Sequence, residues 1–150
     1  MESHSLKIQI SFSEVLGSVT AESAWRFALN PRERLLTSDQ APLIARKVKQ
    51  AYNDLCARLS GYLELNSLNP NANDHYIMLW LRLRQRPSSR LEGVMKGVII
   101  DALAQFALSC FYGNNDKKGE EDLYHLAWRR SIAHITVLLA RDANGLPLVP

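Results

Sequence analysis

Two segments of the chain alternate apolar and polar residues with a period of two. Residues 6–12 follow this pattern, and so do residues 76–84. A helical period also fits the second segment through Ile77, Trp80 and Leu81, but Pro87 follows shortly and favours a strand. Because two strands are marginal alone, we expect them to pair with each other and to pack on helices.

Three longer stretches have the period of an α-helix. The first begins at Ser38 or Asp39 and runs to about residue 63, with one apolar and one polar face. The second covers 88–112 and is apolar almost all round, and the third covers 120–141. A shorter helix capped by Thr20 ends before Pro31, and one of its sides carries Ala21, Ala24, Trp25 and Ala28.

These elements predict a mostly α fold. We expect a bundle of three long helices and a short N-terminal helix, with a small antiparallel two-stranded β element formed by 6–12 and 76–84. A chain of 150 residues suits a single domain, 1–150. Pro-containing residues at the end predict an extended C-terminal tail, 143–150.

Composition narrows the class of protein only slightly. The 18 basic and 15 acidic residues give a formal charge of +3, which indicates a mildly basic, solvated surface. Cys56 and Cys110 both fall on apolar helical faces, so we expect buried free thiols. The longest stretch without a charge, between Asp101 and Asp116, is too short to span a bilayer. With no signal peptide visible, the sequence predicts a cytoplasmic protein that does not enter membranes.

The sequence predicts no enzyme, no metal and no cofactor. The four histidines have no metal-binding spacing, and the chain contains neither a GxSxG motif nor a glycine-rich phosphate loop. Asp101, with Gln105 one turn later, would be a candidate acid or base if it were buried. A polar strip at the surface or at an interface is the favoured interpretation of this pair.

An arginine cluster is the clearest concentration of charge. In a strand, Arg82, Arg84 and Arg86 share one face with Trp80, and Arg90 follows. Such a surface suits a nucleic-acid backbone or an acidic protein partner, and the low net charge favours protein. A solvated outer sheet face is the alternative.

Surplus apolar surface indicates self-association. The helices predicted at 88–112 and 120–141 carry more apolar residues than one buried stripe needs, so some of this surface is expected to meet a neighbouring subunit. Gly93 and Gly97 lie one turn apart and predict either a tight helix crossing or simple tolerance of glycine. The tail, with Leu146 and Leu148, is a further candidate contact.

The order of elements also resembles a known layout. It comprises the first strand, the helix from Ser38, the second strand with Leu-Arg-Leu and Pro-Ser-Ser-Arg-Leu at 81–91, the apolar helix with Asp-Ala-Leu at 101–103, and a Pro-ended tail. This layout is similar to that of small uncharacterised prophage structural proteins of gut Bacteroidetes, which resemble head–tail connector or neck proteins of tailed phages. The resemblance covers nearly the whole chain. It implies a non-enzymatic virion assembly protein whose partners are copies of itself and other virion proteins.

Overall fold

The computed structural model describes residues 4–59, 76–83, 86, 89–112 and 123–143. In chain order the elements are β1 (His4–Ser11), α1 (Phe12–Leu29), a 3₁₀ turn (Ser38–Gln40), α2 (Ala41–Arg58), β2 (Tyr76–Leu83), α3 (Leu91–Tyr112) and α4 (Leu123–Ala143). The fold is therefore mostly helical with a small antiparallel sheet, as the sequence predicts.

The strands pair in one register. Ile8 lies opposite Leu79, Lys7 opposite Trp80, and Ser5 opposite Arg82. Alternation places one set of side chains against the helices, and these are buried: Leu6, Ile8, Ile10, Ile77, Leu79, Leu81 and Leu83. The strand prediction for 76–84 is confirmed over residues 76–83.

The N-terminal helix is longer than predicted. It begins directly after β1, because Ser11 forms a capping box: the Ser11 hydroxyl accepts a hydrogen bond from the Glu14 N–H (3.2 Å), and the Glu14 carboxylate accepts one from the Ser11 N–H (2.9 Å). The helix continues through Gly17 without a break. The predicted cap, Thr20, lies inside the helix and donates its hydroxyl proton to the Leu16 carbonyl (3.0 Å).

The other helix boundaries shift by a few residues. Thr37, rather than Ser38 or Asp39, caps the 3₁₀ turn that leads into α2, and it forms a capping box with Gln40. Helix α2 ends at Arg58, earlier than predicted, and the Leu59 N–H donates to the Leu55 carbonyl. Residues 60–75, 113–122 and 144–150 lie outside the described residues, as do the predicted tail and loops there.

Helix α3 lies at the centre of the fold. It packs against α1, α2, α4 and β1, and its buried side chains join those of both strands and of the three other α-helices in one hydrophobic cluster. Phe106 meets Trp128 of α4 edge to face, with 5.2 Å between ring centroids. On the other side, the Tyr52 hydroxyl of α2 donates to the Met78 carbonyl of β2 (2.8 Å), which joins helix and sheet.

Candidate interaction surfaces

The outward face of the sheet carries the predicted aromatic and arginine residues. We call it the outer sheet face, and its positions are Ser5, Lys7, Gln9 and Ser11 on β1 and Tyr76, Met78, Trp80 and Arg82 on β2. Arg82 is exposed and Trp80 is half-buried. Arg86 and Arg90 are also exposed, in the connection to α3, whereas Arg84 lies outside the described residues.

Lys7 is a member of this face that the sequence analysis missed. Its ammonium nitrogen lies 5.9 Å from the centroid of the Trp80 ring, at cation–π distance. The alternation of apolar and polar residues in β1 already predicts that Lys7 lies on the face of the strand away from the buried side chains. Only the pairing register, however, places it across from Trp80.

A groove beside β1 mixes charges of both signs. It is lined by Lys7, Gln9, Ser11, Glu14, Glu92 and Lys96 and has a volume of about 530 Å³. The Lys96 ammonium lies 3.1 Å from the Glu14 carboxylate. The hydrogen bond from the Ser11 backbone N–H, assisted by Lys96, holds the pKa of Glu14 below its usual value. The groove is therefore balanced in charge, unlike the outer sheet face.

Helix α3 keeps one exposed stripe in its first half. We call it the α3 stripe, formed by Gly93, Val94, Gly97 and Asp101, all exposed. A Cβ built at either glycine meets no atom of another described element within 4 Å. The predicted tight crossing is therefore absent within the described part of the chain, so any close approach at these glycines would have to come from outside it.

Asp101 lacks the burial that an acid–base role requires. It is exposed, and Gln105 is half-buried one turn later. The favoured interpretation, a polar surface strip, agrees with this position. Leu146 and Leu148, the other candidate contacts, lie outside the described residues.

The most exposed apolar side chains belong to α1. Trp25 is 62% exposed and Leu29 is 68% exposed. They lie beside Ala21, Ala24 and Ala28, which are exposed too, so the alanine side of this helix faces solvent. We call this surface the α1 face; its residues are Ala21, Ala24, Trp25, Ala28 and Leu29.

A buried serine explains the orientation of α1. Ser23 is fully buried, together with Val15 and Val19. Its hydroxyl accepts a hydrogen bond from the Leu36 N–H (2.6 Å) and donates one to the Arg34 carbonyl (3.4 Å). The segment after α1 is thus fixed to the serine side of the helix, and no described element covers the alanine side.

An apolar depression lies between the starts of α1 and α2. It has a volume of about 500 Å³ and is lined mainly by Phe12, Leu16, Pro42, Ile44, Val48 and Tyr76, with Ser11 and Ser13 as its polar members. The Lys49 ammonium stands 5.7 Å from the centroid of the Phe12 ring. Among the described residues that line this depression, no histidine or acidic residue stands beside the two serines.

Neither histidine nor cysteine forms a metal centre in the residues described. No group of three His, Cys, Asp or Glu side chains comes together there. Neither Cys56 nor Cys110 forms a disulfide bond. The prediction that both are buried is wrong for Cys110, which is exposed, and Cys56 is half-buried. Burial raises the pKa of the Cys56 thiol to about 11.

One described helix, Leu91–Phe111, is long and apolar enough to cross a membrane by length and composition alone. This span contains charges such as Lys96 and Asp101, so it is longer than the uncharged stretch between Asp101 and Asp116. The core helix of a soluble protein passes the same test, and α3 has that position here.

No protein-family model, curated protein or solved structure matches this chain. Its function must therefore be argued from its surfaces.

Proposed function

We propose that this chain is a non-enzymatic assembly protein that acts by self-association, of the head–tail connector class that its layout resembles. The observation that carries the proposal is the α1 face. Trp25 and Leu29 leave about two thirds of their surface in water, although the same protomer buries a continuous core. Large apolar side chains grouped in this way are typical of interaction sites.

A ring needs two different contact surfaces on each subunit. The α1 face is one, and the α3 stripe is suited to be the other. Both carry small residues that permit close approach of two helices, with Ala21, Ala24 and Ala28 on α1 and Gly93 and Gly97 on α3. We therefore assign the contact to the α1 face of one copy and the α3 stripe of the next.

The proposed setting follows from the same resemblance. Assembly takes place in the cytoplasm of the host, and the other partners are virion proteins. The exposure of Asp101 supports this class, because an exposed carboxylate lacks the burial that an acid–base role would need.

Light scattering after size exclusion tests self-association. We expect the mass of the wild-type chain to rise with concentration and Trp25→Glu with Leu29→Glu to yield a folded monomer. Val137→Glu is the matched control, because Val137 is a similarly placed exposed apolar side chain on α4 (48% exposed). A wild-type chain that stays monomeric at high concentration would overturn the proposal.

A mixing experiment tests the two-surface arrangement. Gly97→Lys should also give a monomer, because its side chain obstructs the α3 stripe. An equal mixture of Gly97→Lys with the Trp25→Glu, Leu29→Glu variant should then form a heterodimer, since each supplies the surface that the other lacks. Failure to pair rejects the α1-to-α3 contact. Dimers instead of closed rings in electron micrographs of the wild type would reject the connector class.

A further inference from the structure

We infer that the outer sheet face is a binding site for single-stranded nucleic acid, with Trp80 stacking on a base and Lys7 and Arg82 contacting phosphates. This site is separate from the proposed subunit contacts, which lie on α1 and α3. The inference does not depend on them.

The charge of the face is of one sign. Its eight outward positions contain Lys7 and Arg82 and no acidic residue. Arg86 and Arg90 add exposed positive charge in the segment that follows β2. The overall charge of the chain is only +3, so this local concentration, rather than the total, attracts a polyanion.

The aromatic residues determine which polyanion fits. Tyr76 and Trp80 lie on the same face of β2, with Met78 between them, and positions four apart in a strand are separated by about 13 Å. Flat side chains beside cations on a sheet are the arrangement that stacks unpaired bases and neutralises their phosphates. An acidic protein surface would use the cations but has no base to place on Trp80. In a duplex the bases already stack on each other, so no base is available to stack on Trp80.

The register supplies the geometry of the two contacts. Lys7 lies across from Trp80, with its ammonium 5.9 Å from the ring centroid, and Arg82 is the next outward residue of β2. The Trp80 ring therefore has one cation across from it on β1 and another at the next outward position of β2. The acidic Glu14 and Glu92 line the groove beyond β1, so the strand of nucleic acid is expected to follow β2.

Fluorescence anisotropy with a labelled dT12 oligonucleotide, the same length of oligo(U), and a duplex of equal length tests the site. We expect the single strands to bind and the duplex to bind more weakly. Contact with two phosphates predicts that the logarithm of the association constant falls with the logarithm of salt concentration with a slope of about −1.4.

Four variants locate the binding. Trp80→Ala should weaken it by about 5- to 150-fold, and Lys7→Ala with Arg82→Ala should weaken it and flatten the salt slope. Trp80→Phe keeps a ring and should keep most of the affinity, while the quenching of tryptophan fluorescence by the oligonucleotide disappears. Arg46→Ala, which removes an exposed charge from α2, is the control and should bind like the wild type.

Several outcomes would overturn the inference. They are no binding of dT12 or oligo(U) at low salt, a preference for the duplex, equal binding of a poly-glutamate peptide, or an effect of Arg46→Ala as large as that of the sheet variants. Thermal unfolding of each variant checks the fold. If Trp80→Ala unfolds, the loss of quenching with retained binding in Trp80→Phe is the deciding observation.

Discussion

The more apolar of helices α1 and α3 is the one that exposes fewer of its large apolar side chains. Helix α3 is the most apolar long element, yet Val94, 39% exposed, is its one clearly exposed large apolar side chain among the described residues. Helix α1 is less apolar, and it exposes Trp25, Phe27 and Leu29. The difference lies in their neighbours. Among the described residues, α3 has other elements on several sides, whereas the buried residues of α1 are Val15, Val19 and Ser23 on one side of the helix.

This contrast changes the basis for self-association. The sequence places the surplus apolar surface on the helices predicted at 88–112 and 120–141. In the structure, most large apolar side chains of α3 are covered within one protomer, and the most exposed ones belong to α1. Apolar content therefore predicts how much surface needs covering but not which element remains uncovered.

The largest expected effect tests the buried side of α3. Leu103 is fully buried at its centre, so Leu103→Ala should lower the free energy of unfolding by about 2–5 kcal/mol. Val94→Ala, on the exposed stripe, should change it by less than about 0.5 kcal/mol. Urea unfolding of both variants at low protein concentration measures the difference. Equal effects of the two substitutions would mean that α3 is buried at Val94 as well as at Leu103. The exposed stripe of α3 would then not exist.

The two glycines of the α3 stripe give the next largest effect. An alanine Cβ meets open space at either position, and alanine favours a helix over glycine by about 1 kcal/mol. Gly93→Ala and Gly97→Ala should each raise the unfolding free energy of the monomer by about 0.5–1 kcal/mol.

We expect the same two glycine substitutions to weaken self-association. If the α3 stripe is a close subunit contact, the added methyl groups separate the two helices and weaken the oligomer in sedimentation experiments. A more stable monomer that associates as before would place the contact elsewhere.

The sequence predicts more of the fold than of the candidate interaction surfaces. Alternation in 6–12 and 76–84 was enough for both strands, since one face of each is buried. The predicted start of α1 at Thr20 is wrong, because the Ser11–Glu14 capping box begins the helix earlier in the chain. The buried role of Ser23 depends on the Leu36 N–H thirteen residues later, and such a tertiary hydrogen bond leaves no periodic signal.

The capping box gives an effect of similar size, part of which depends on pH. Ser11→Ala should cost about 1 kcal/mol, and Glu14→Gln, which keeps a hydrogen-bonding side chain but loses the ion pair with Lys96, about 0.5 kcal/mol. The pKa of Glu14 is lower in the folded state, so its charge contributes stability above the unfolded-state pKa. That contribution is lost as the pH falls through the folded-state pKa.

Thermal unfolding between neutral and acidic pH measures this loss. The difference between wild type and Glu14→Gln should shrink toward zero in acid, and Glu22→Gln, elsewhere on α1, serves as the control. A difference that persists unchanged in acid would show that the charge of Glu14 is not its cause.

The smallest effect on stability is expected at Cys110, which is exposed on α3. Cys110→Ser should leave the unfolding free energy within about 0.5 kcal/mol of the wild type.

Alkylation with iodoacetamide, followed by mass spectrometry, should modify Cys110 in the native protein. Cys56 should react slowly, because partial burial limits access and raises the pKa of its thiol to about 11. Protection of Cys110 that disappears on dilution would place this end of α3 in a subunit contact as well. Equal reaction of both thiols in the folded chain would contradict the burial of the α2 side of the core.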